Sequence, residues 1–267
     1  MEILRDQGFL ENSPFAGRSG WLIGSRWVTI RALRLFRYRT RPRGSSKMSE
    51  HEQRHEIVQI GKLLHSNGFI AATDGNISVR LDERTLLATP TCMGKGMMST
   101  EDLVKVDMSG KRVGGFRDVS SEIAMHLTIY RMRPDIHAIV HAHPPTATGY
   151  AAAGLSLEQA LVSEVVLSVG SVPLAKYATP GTPALSASLE PFILEHNAIL
   201  MANHGVVTYA EDLLTAYMHM ETVEHFAKIA LITHQLGRQE VLSEGNVHEL
   251  VELREKYRAA KLATKKV

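Results

Sequence analysis

The chain has 267 residues, 44% hydrophobic and 22% charged, a size and balance that suit one large or two small soluble domains with a real core. Its single cysteine, Cys92, excludes a disulfide framework within the chain and fits a reducing compartment such as the cytoplasm. The formal charge of +2 is no pointer to nucleic acid: residues 1–47 hold ten basic and three acidic side chains, leaving twenty basic and twenty-five acidic over 48–267, so the body is mildly acidic.

Residues 1–47 form a basic leader that contains both tryptophans, Trp21 and Trp27, and ends in the breaker Pro42, Gly44, Ser45, Ser46. Its longest apolar stretch is too short to span a bilayer, so no membrane-spanning role is expected. Three readings of it stand: a targeting peptide, a basic surface or partner helix, or upstream sequence ahead of a true start at Met48. The last is preferred, because a helix-like pattern begins just after Met48, and the leader is expected to be poorly ordered or not native. The functional domain is then 48–267.

From Met48 the elements alternate. Ile57, Ile60, Leu63 and Leu64 predict a helix over 51–67, with Gly68 as its C-terminal stop. Strands are predicted at 75–81 and 84–88 around a turn at Asp82-Glu83, and a second hairpin at 103–108 and 111–113 turns at Ser109-Gly110. Ser120 or Ser121 is expected to cap a helix running to about Arg133, before Pro134. A strand follows at 136–142, then a helix opened by Pro144 and Pro145. Strands near 171–174 and 198–201 flank a helix from about Pro183 to Glu195. A long helix is predicted from Glu211 to about Leu236, with Leu213, Tyr217, Met220, Ala227 and Ala230 on one face, and a charged helix over 246–262. Irregular alternation with hairpins predicts an α/β fold: a three-layer α/β/α sandwich around a largely antiparallel sheet.

The chemistry concentrates in a few short segments. On a strand through Val140-His141-Ala142-His143, residues two apart point the same way, so His141 and His143 project together and can grip one divalent metal. His137 shares that face but lies further back and is not read as a ligand. Alone, an H-x-H is weak. Asn203-His204-Gly205, at the end of the apolar strand 198–201, offers a third imidazole, and Gly205 allows an unusual backbone angle or a close approach. Three histidines with an open position are the pattern of a catalytic metal site. Glu122, beside Ser120 and Ser121 at a helix start, is the acid–base candidate.

Taken together, Thr-Asp-Gly-Asn-Ile-Ser-Val-Arg (73–80), Thr-Pro-Thr (89–91), Ser-Ser-Glu (120–122), Val-His-Ala-His (140–143), Tyr-Ala-Thr-Pro-Gly-Thr (177–182) and Asn-His-Gly (203–205) resemble, in order and spacing, the class II aldolase/adducin family. The resemblance covers about residues 50–240, and the family includes L-fuculose-1-phosphate aldolase among its members. It implies a mostly antiparallel sheet covered by helices, a homotetramer, and active sites near subunit interfaces. Position by position it makes His141, His143 and His204 the metal ligands and Glu122 the acid/base. Gly75 with Asn76, Thr91 with Cys92, and Ser120 with Ser121 match three phosphate-binding pairs. Two departures stand out: Cys92 occupies a glycine position of the fuculose aldolase, and a tyrosine contributed there across the interface aligns near Val162. Glu164 is nearby without an assigned role.

The resemblance implies a metal-dependent lyase with one divalent ion per subunit, Zn(2+) first, Mn(2+) or Co(2+) as alternatives. The expected reaction is aldol cleavage of a phosphorylated sugar by enediolate stabilisation. A decarboxylase or other lyase acting on a carboxylated substrate is the main alternative. A sugar-phosphate 4-epimerase is less favoured, since the epimerase has aspartate at the position of Glu122. A non-enzymatic adducin-like scaffold is disfavoured because such modules lack the full histidine set.

Overall fold

The computed structural model describes residues 48–264 and two short strands in the leader, Trp21–Ile23 (β1) and Arg26–Val28 (β2), paired antiparallel. Beyond that ribbon, the expectation of a poorly ordered or non-native leader lies outside the described residues. The body begins with helix α1, Glu50–Ser66. Ser49 starts it with a capping box: its hydroxyl accepts from the Glu52 amide at 3.2 Å, and its own amide donates to the Glu52 carboxylate at 2.7 Å. Gly68, at φ +69°, follows the helix end and donates to His65 O, the stop read from the sequence.

Eight strands form the central sheet: β3 (Asn76–Arg80), β4 (Thr85–Ala88), β5 (Val104–Asp107), β6 (Arg112–Gly114), β7 (Ala138–Ala142), β8 (Leu174–Ala175), β9 (Ala198–Met201) and β10 (Gly205–Ala210). Their order is β6-β5-β4-β3-β7-β10-β9-β8, and every pair is antiparallel except β8 with β9. Helices α2 (Ile123–Met132), α3 (Pro145–Ala152), α4 (Ser163–Ser168), α5 (Pro183–Ile193), α6 (Leu213–Gln235) and α7 (Glu244–Thr264) complete the body.

The buried side chains divide by face. Ile57 and Leu64 of α1, Ala151 of α3 and Met220 and Phe226 of α6 pack with Ile77, Val140, Ala142 and Val206 on one side. Met125 and Ile129 of α2 and Leu189 and Ile193 of α5 pack with Leu86, Ile139, Val207 and Tyr209 on the other. The expected three-layer sandwich with a largely antiparallel sheet is therefore the observed fold. Among the described residues, no helix is long and apolar enough to cross a membrane.

Two elements differ from the reading of the sequence. Strand β10 enters the sheet between β7 and β9, where the sequence pattern suggests a direct run towards the helix at Glu211. All six of its residues are buried, so it carries no alternation to reveal it. The short helix α4 is likewise absent from the sequence reading. A boundary moves too: α2 begins at Ile123 with Glu122 at its N-cap position, and neither Ser120 nor Ser121 caps it. Those serines lie in a preceding turn, closed by Ile123 N donating to Ser120 O at 3.1 Å.

Helix α3, which follows His143 directly, is pinned from α6. Glu224 is buried, and its carboxylate accepts from Thr146 N at 3.0 Å and Ala147 N at 2.9 Å, satisfying free amides at the start of α3. Lys228, 3.5 Å away, is exposed. Glu224→Ala should therefore lower the unfolding free energy by about 2–3 kcal/mol in urea titrations, because buried amides lose a charged partner. Lys228→Ala should cost less than about 1 kcal/mol. Equal effects would contradict this account.

Candidate metal centre

Strand β7 and the residue just after it carry two of the three imidazoles. Val140 and Ala142 face α6, so His141 and His143 turn to the opposite side, as the two-residue period requires. His141 is fully buried, and its Nδ1 lies 2.9 Å from Val206 O. A carbonyl only accepts, so Nδ1 holds a proton and Nε2 is the nitrogen turned into the cluster. His143 Nε2 lies 3.1 Å from His141 Nε2, and its Nδ1 lies 3.5 Å from Asp74 Oδ2. Burial, followed by the two neighbouring imidazoles, pulls His143 down to about 4, so the ring is neutral near pH 7.

The third imidazole comes from the β9–β10 turn. His204 N donates to Met201 O at 3.0 Å, and Asn203 takes a left-handed φ of +55°, which asparagine tolerates better than most residues. Gly205 then lies directly against β7. A Cβ there would sit 2.5 Å from His143 Cδ2 and 2.6 Å from Ala142 O. Of the two roles considered for Gly205, close approach is the one it fills. The ring centroids of the three histidines are 4.8, 4.8 and 5.1 Å apart, and one nitrogen from each can lie within 4.8 Å of the others.

Glu122 closes the cluster. Its Oε2 lies 3.3 Å from His141 Nε2 and its Oε1 lies 3.2 Å from His204 Nε2. Burial alone would push this carboxyl up, but the His141 and His204 imidazoles outweigh it and hold it well below the usual carboxylate range. Asn76, paired across the sheet with His141, donates Nδ2 to Oε2 at 2.8 Å. His204 Nδ1 and Glu122 Oε1 are buried and lack a hydrogen bond of good geometry among the described residues. Three converging imidazoles, an adjacent carboxylate and unsatisfied buried atoms fit a divalent cation held by His141, His143 and His204.

The expected anion-binding residues surround this cluster to different degrees. Gly75, at φ +71°, opens β3, and a Cβ on it would meet His141 O at 2.7 Å. Asn76 is buried and has committed its amide to Glu122 and to His126, whose Nε2 lies 2.5 Å from Asn76 Oδ1. Ser120 Oγ accepts from Glu122 N at 3.3 Å, and Ser121 packs against Gly181 of the 177–182 segment. Thr91 is drawn to the same region by a bridge between Pro90 and Val119 and by its amide donating to Asp118 O at 3.0 Å. Cys92 is exposed with a left-handed φ of +52°, a backbone state that favours glycine. Val162 packs against the core at the start of α4, and Glu164 sits in that helix's first turn.

Three residues escape the sequence reading. Asp74, beside His143, belongs to the 73–80 motif but carries no role there. His126 lies four residues after Glu122 and so on the same helical face, which is the available signal. Lys95, between two glycines after the Thr91-Cys92 loop, is buried, and its Nζ donates to Thr73 O at 2.6 Å. Burial pulls it down to about 8, against the attraction of Asp74, Cys92 and Glu122.

A family model described as the class II aldolase and adducin N-terminal domain matches residues 55–231. The chain belongs to this family. It is 37% identical over 192 residues to a 3-oxo-tetronate 4-phosphate decarboxylase of Pectobacterium atrosepticum, covering 70% of this chain and 88% of that one. It is 35% identical over 208 residues to a 5-deoxy-D-ribulose 1-phosphate aldolase of Bacillus thuringiensis, covering 77% and 97%. A solved L-fuculose 1-phosphate aldolase superposes with a TM-score of 0.73 at 33% identity, covering 79% of this chain and all of that one.

The tightest steric tolerance in the centre is at Gly205. Gly205→Ala should weaken metal binding by about 10–100-fold, since the methyl displaces the His143 ring and the β7 backbone. Competition against a chromophoric chelator measures this, and wild-type affinity in the variant would refute it.

Proposed function

We propose that this protein is a divalent-metal-dependent lyase, and that its reaction is aldol cleavage of a phosphorylated ketose. The observation that carries the reading is Glu122, ionised and set between His141 and His204 at the edge of the three-imidazole cluster. The family and the aldolase relatives support it. Decarboxylation of a phosphorylated 3-oxo acid is the second reading, favoured by the 37% identical decarboxylase.

A cation held by His141, His143 and His204 would act as a Lewis acid, drawing negative charge onto substrate oxygens. In either reaction a carbon–carbon bond breaks and its electron pair stays on the substrate carbon. Aldol cleavage releases an aldehyde once the hydroxyl proton departs; decarboxylation releases carbon dioxide. Both end when a proton reaches that carbon, and Glu122 is the group placed to carry it. Gly75, Thr91, Cys92, Ser120 and Ser121 are read as the cradle for the phosphate, which holds the reacting carbons in register.

Zinc is the first choice of ion for three imidazoles. A homotetramer and a cytoplasmic location complete the reading, along with a catalytic domain over 48–267. They are supported by the resemblance, the matched span 55–231 and the lone cysteine.

Purified protein loaded with zinc or manganese should cleave a phosphorylated ketose, lose activity on chelation, and lose about 100-fold or more in kcat as Glu122→Gln. Carbon dioxide release from a phosphorylated 3-oxo acid, with no aldol cleavage, would replace the aldolase reading with the decarboxylase one. Full activity without metal, or in Glu122→Gln, would defeat both.

A further inference from the structure

Behind Glu122 lies a buried polar chain that the proposed chemistry does not use. Asn76 is followed by His126 on α2, Ser78 on β3 and Tyr130 on α2, all buried between helix and sheet. His126 Nδ1 is 2.6 Å from Ser78 Oγ, and Ser78 Oγ is 3.0 Å from Tyr130 Oη. Tyr130 Oη also reaches Ser78 O at 3.0 Å.

The proton positions follow from the two ends. Asn76 donates Nδ2 to Glu122 Oε2, which turns its Oδ1 towards His126. That oxygen needs a donor, so His126 carries its proton on Nε2. Burial and the His141 imidazole pull His126 down to about 3, so the ring is neutral and Nδ1 must accept. Ser78 therefore donates to His126. Tyr130 in turn donates to a Ser78 oxygen. From Ser78 through His126 and Asn76 to Glu122 every donor points one way, so the dipoles add along the chain. Reversing Asn76 would replace its donation to Glu122 Oε2 with an oxygen facing a carboxylate oxygen.

We infer that His126, backed by Ser78 and Tyr130, is a positioning residue for Glu122: it locks the Asn76 amide so that Asn76 holds Oε2 and proton exchange with substrate falls to Oε1. This rests on the reading of Glu122 as the proton carrier. It also gives Asn76 a duty other than phosphate binding. The effect should therefore appear in turnover and not in the affinity for a phosphorylated substrate.

The test uses full-length, metal-loaded protein. His126→Leu should lower kcat about 10–100-fold with KM within about threefold and metal content unchanged. His126→Gln, whose amide nitrogen can replace the Nε2 donor, should recover most of that activity. In a crystal structure of His126→Leu, Asn76 Nδ2 should no longer donate to Glu122 Oε2; in that of His126→Gln this hydrogen bond should persist. Should His126→Leu fail to fold, Ser78→Ala, which removes one oxygen, is read by the same hydrogen bond and the same kcat–KM split. An intact Asn76–Glu122 hydrogen bond in the apolar variant, unchanged kcat, or a rise confined to KM would overturn the inference. Undiminished turnover in Glu122→Gln would instead defeat the proposed function, while the crystallographic position of Asn76 would still decide the positioning.

Discussion

The pairing of β10 with β7 is the constraint on which the centre depends. Val206 and Val207 lie opposite Ala142 and His141, and the apolar residues on both faces of the two strands fix that register. A slip of one residue would turn His141 from the α2 side of the sheet into the α6 core. The same pairing supplies the Val206 carbonyl that sets the His141 tautomer. It also brings the β9–β10 turn over the end of β7, which is possible because Gly205 has no Cβ. Register, tautomer and the position of His204 are thus consequences of one strand pair.

Electrostatics then decides what that arrangement can hold. Burial, then the two nearby imidazoles, hold His143 down to about 4. Glu122 is ionised although it is buried, because those imidazoles face it. Imidazole nitrogens beside a carboxylate suit a doubly charged ion, and His204 Nδ1 and Glu122 Oε1 are buried without good hydrogen bonds among the described residues. The polar chain through Asn76 adds a neutral, one-directional support to the same carboxylate, and it reaches Glu122 at Oε2, leaving Oε1 to face His204.

How far the sequence reveals this depends on the kind of signal. His141 and His143 follow from the strand period, and Gly68 from helix-stop chemistry, because both are local. Strand β10 is invisible to periodicity because it is buried on both faces. Without it, His204 seems to end a strand next to β7, whereas it sits in the turn that delivers β10 between them. Ser120 and Ser121 read as caps because serine often caps, yet the side chain at the N-cap position belongs to Glu122 and is drawn to the histidines. His126, Ser78 and Tyr130 lie on apolar elements, and their partnership exists only once β3 and α2 are packed together. The motif resemblance locates the centre, while the residues that support it become legible through tertiary packing.

The centre itself does not distinguish cleavage to an aldehyde from loss of carbon dioxide, since both leave an electron pair that the same cation and carboxylate can manage. Selection must therefore reside in the loops around it. Cys92 holds a left-handed backbone that costs an L-residue roughly 1–2 kcal/mol, so its loop is kept in place by its surroundings. Lys95 supplies one such restraint, tying the segment after that loop to Thr73 at 2.6 Å from a buried position. Asp74 lies between, within the field of Lys95 and 3.5 Å from His143. The Thr91-Cys92 loop, the turn before β3 and His143 are thus linked through one buried ammonium.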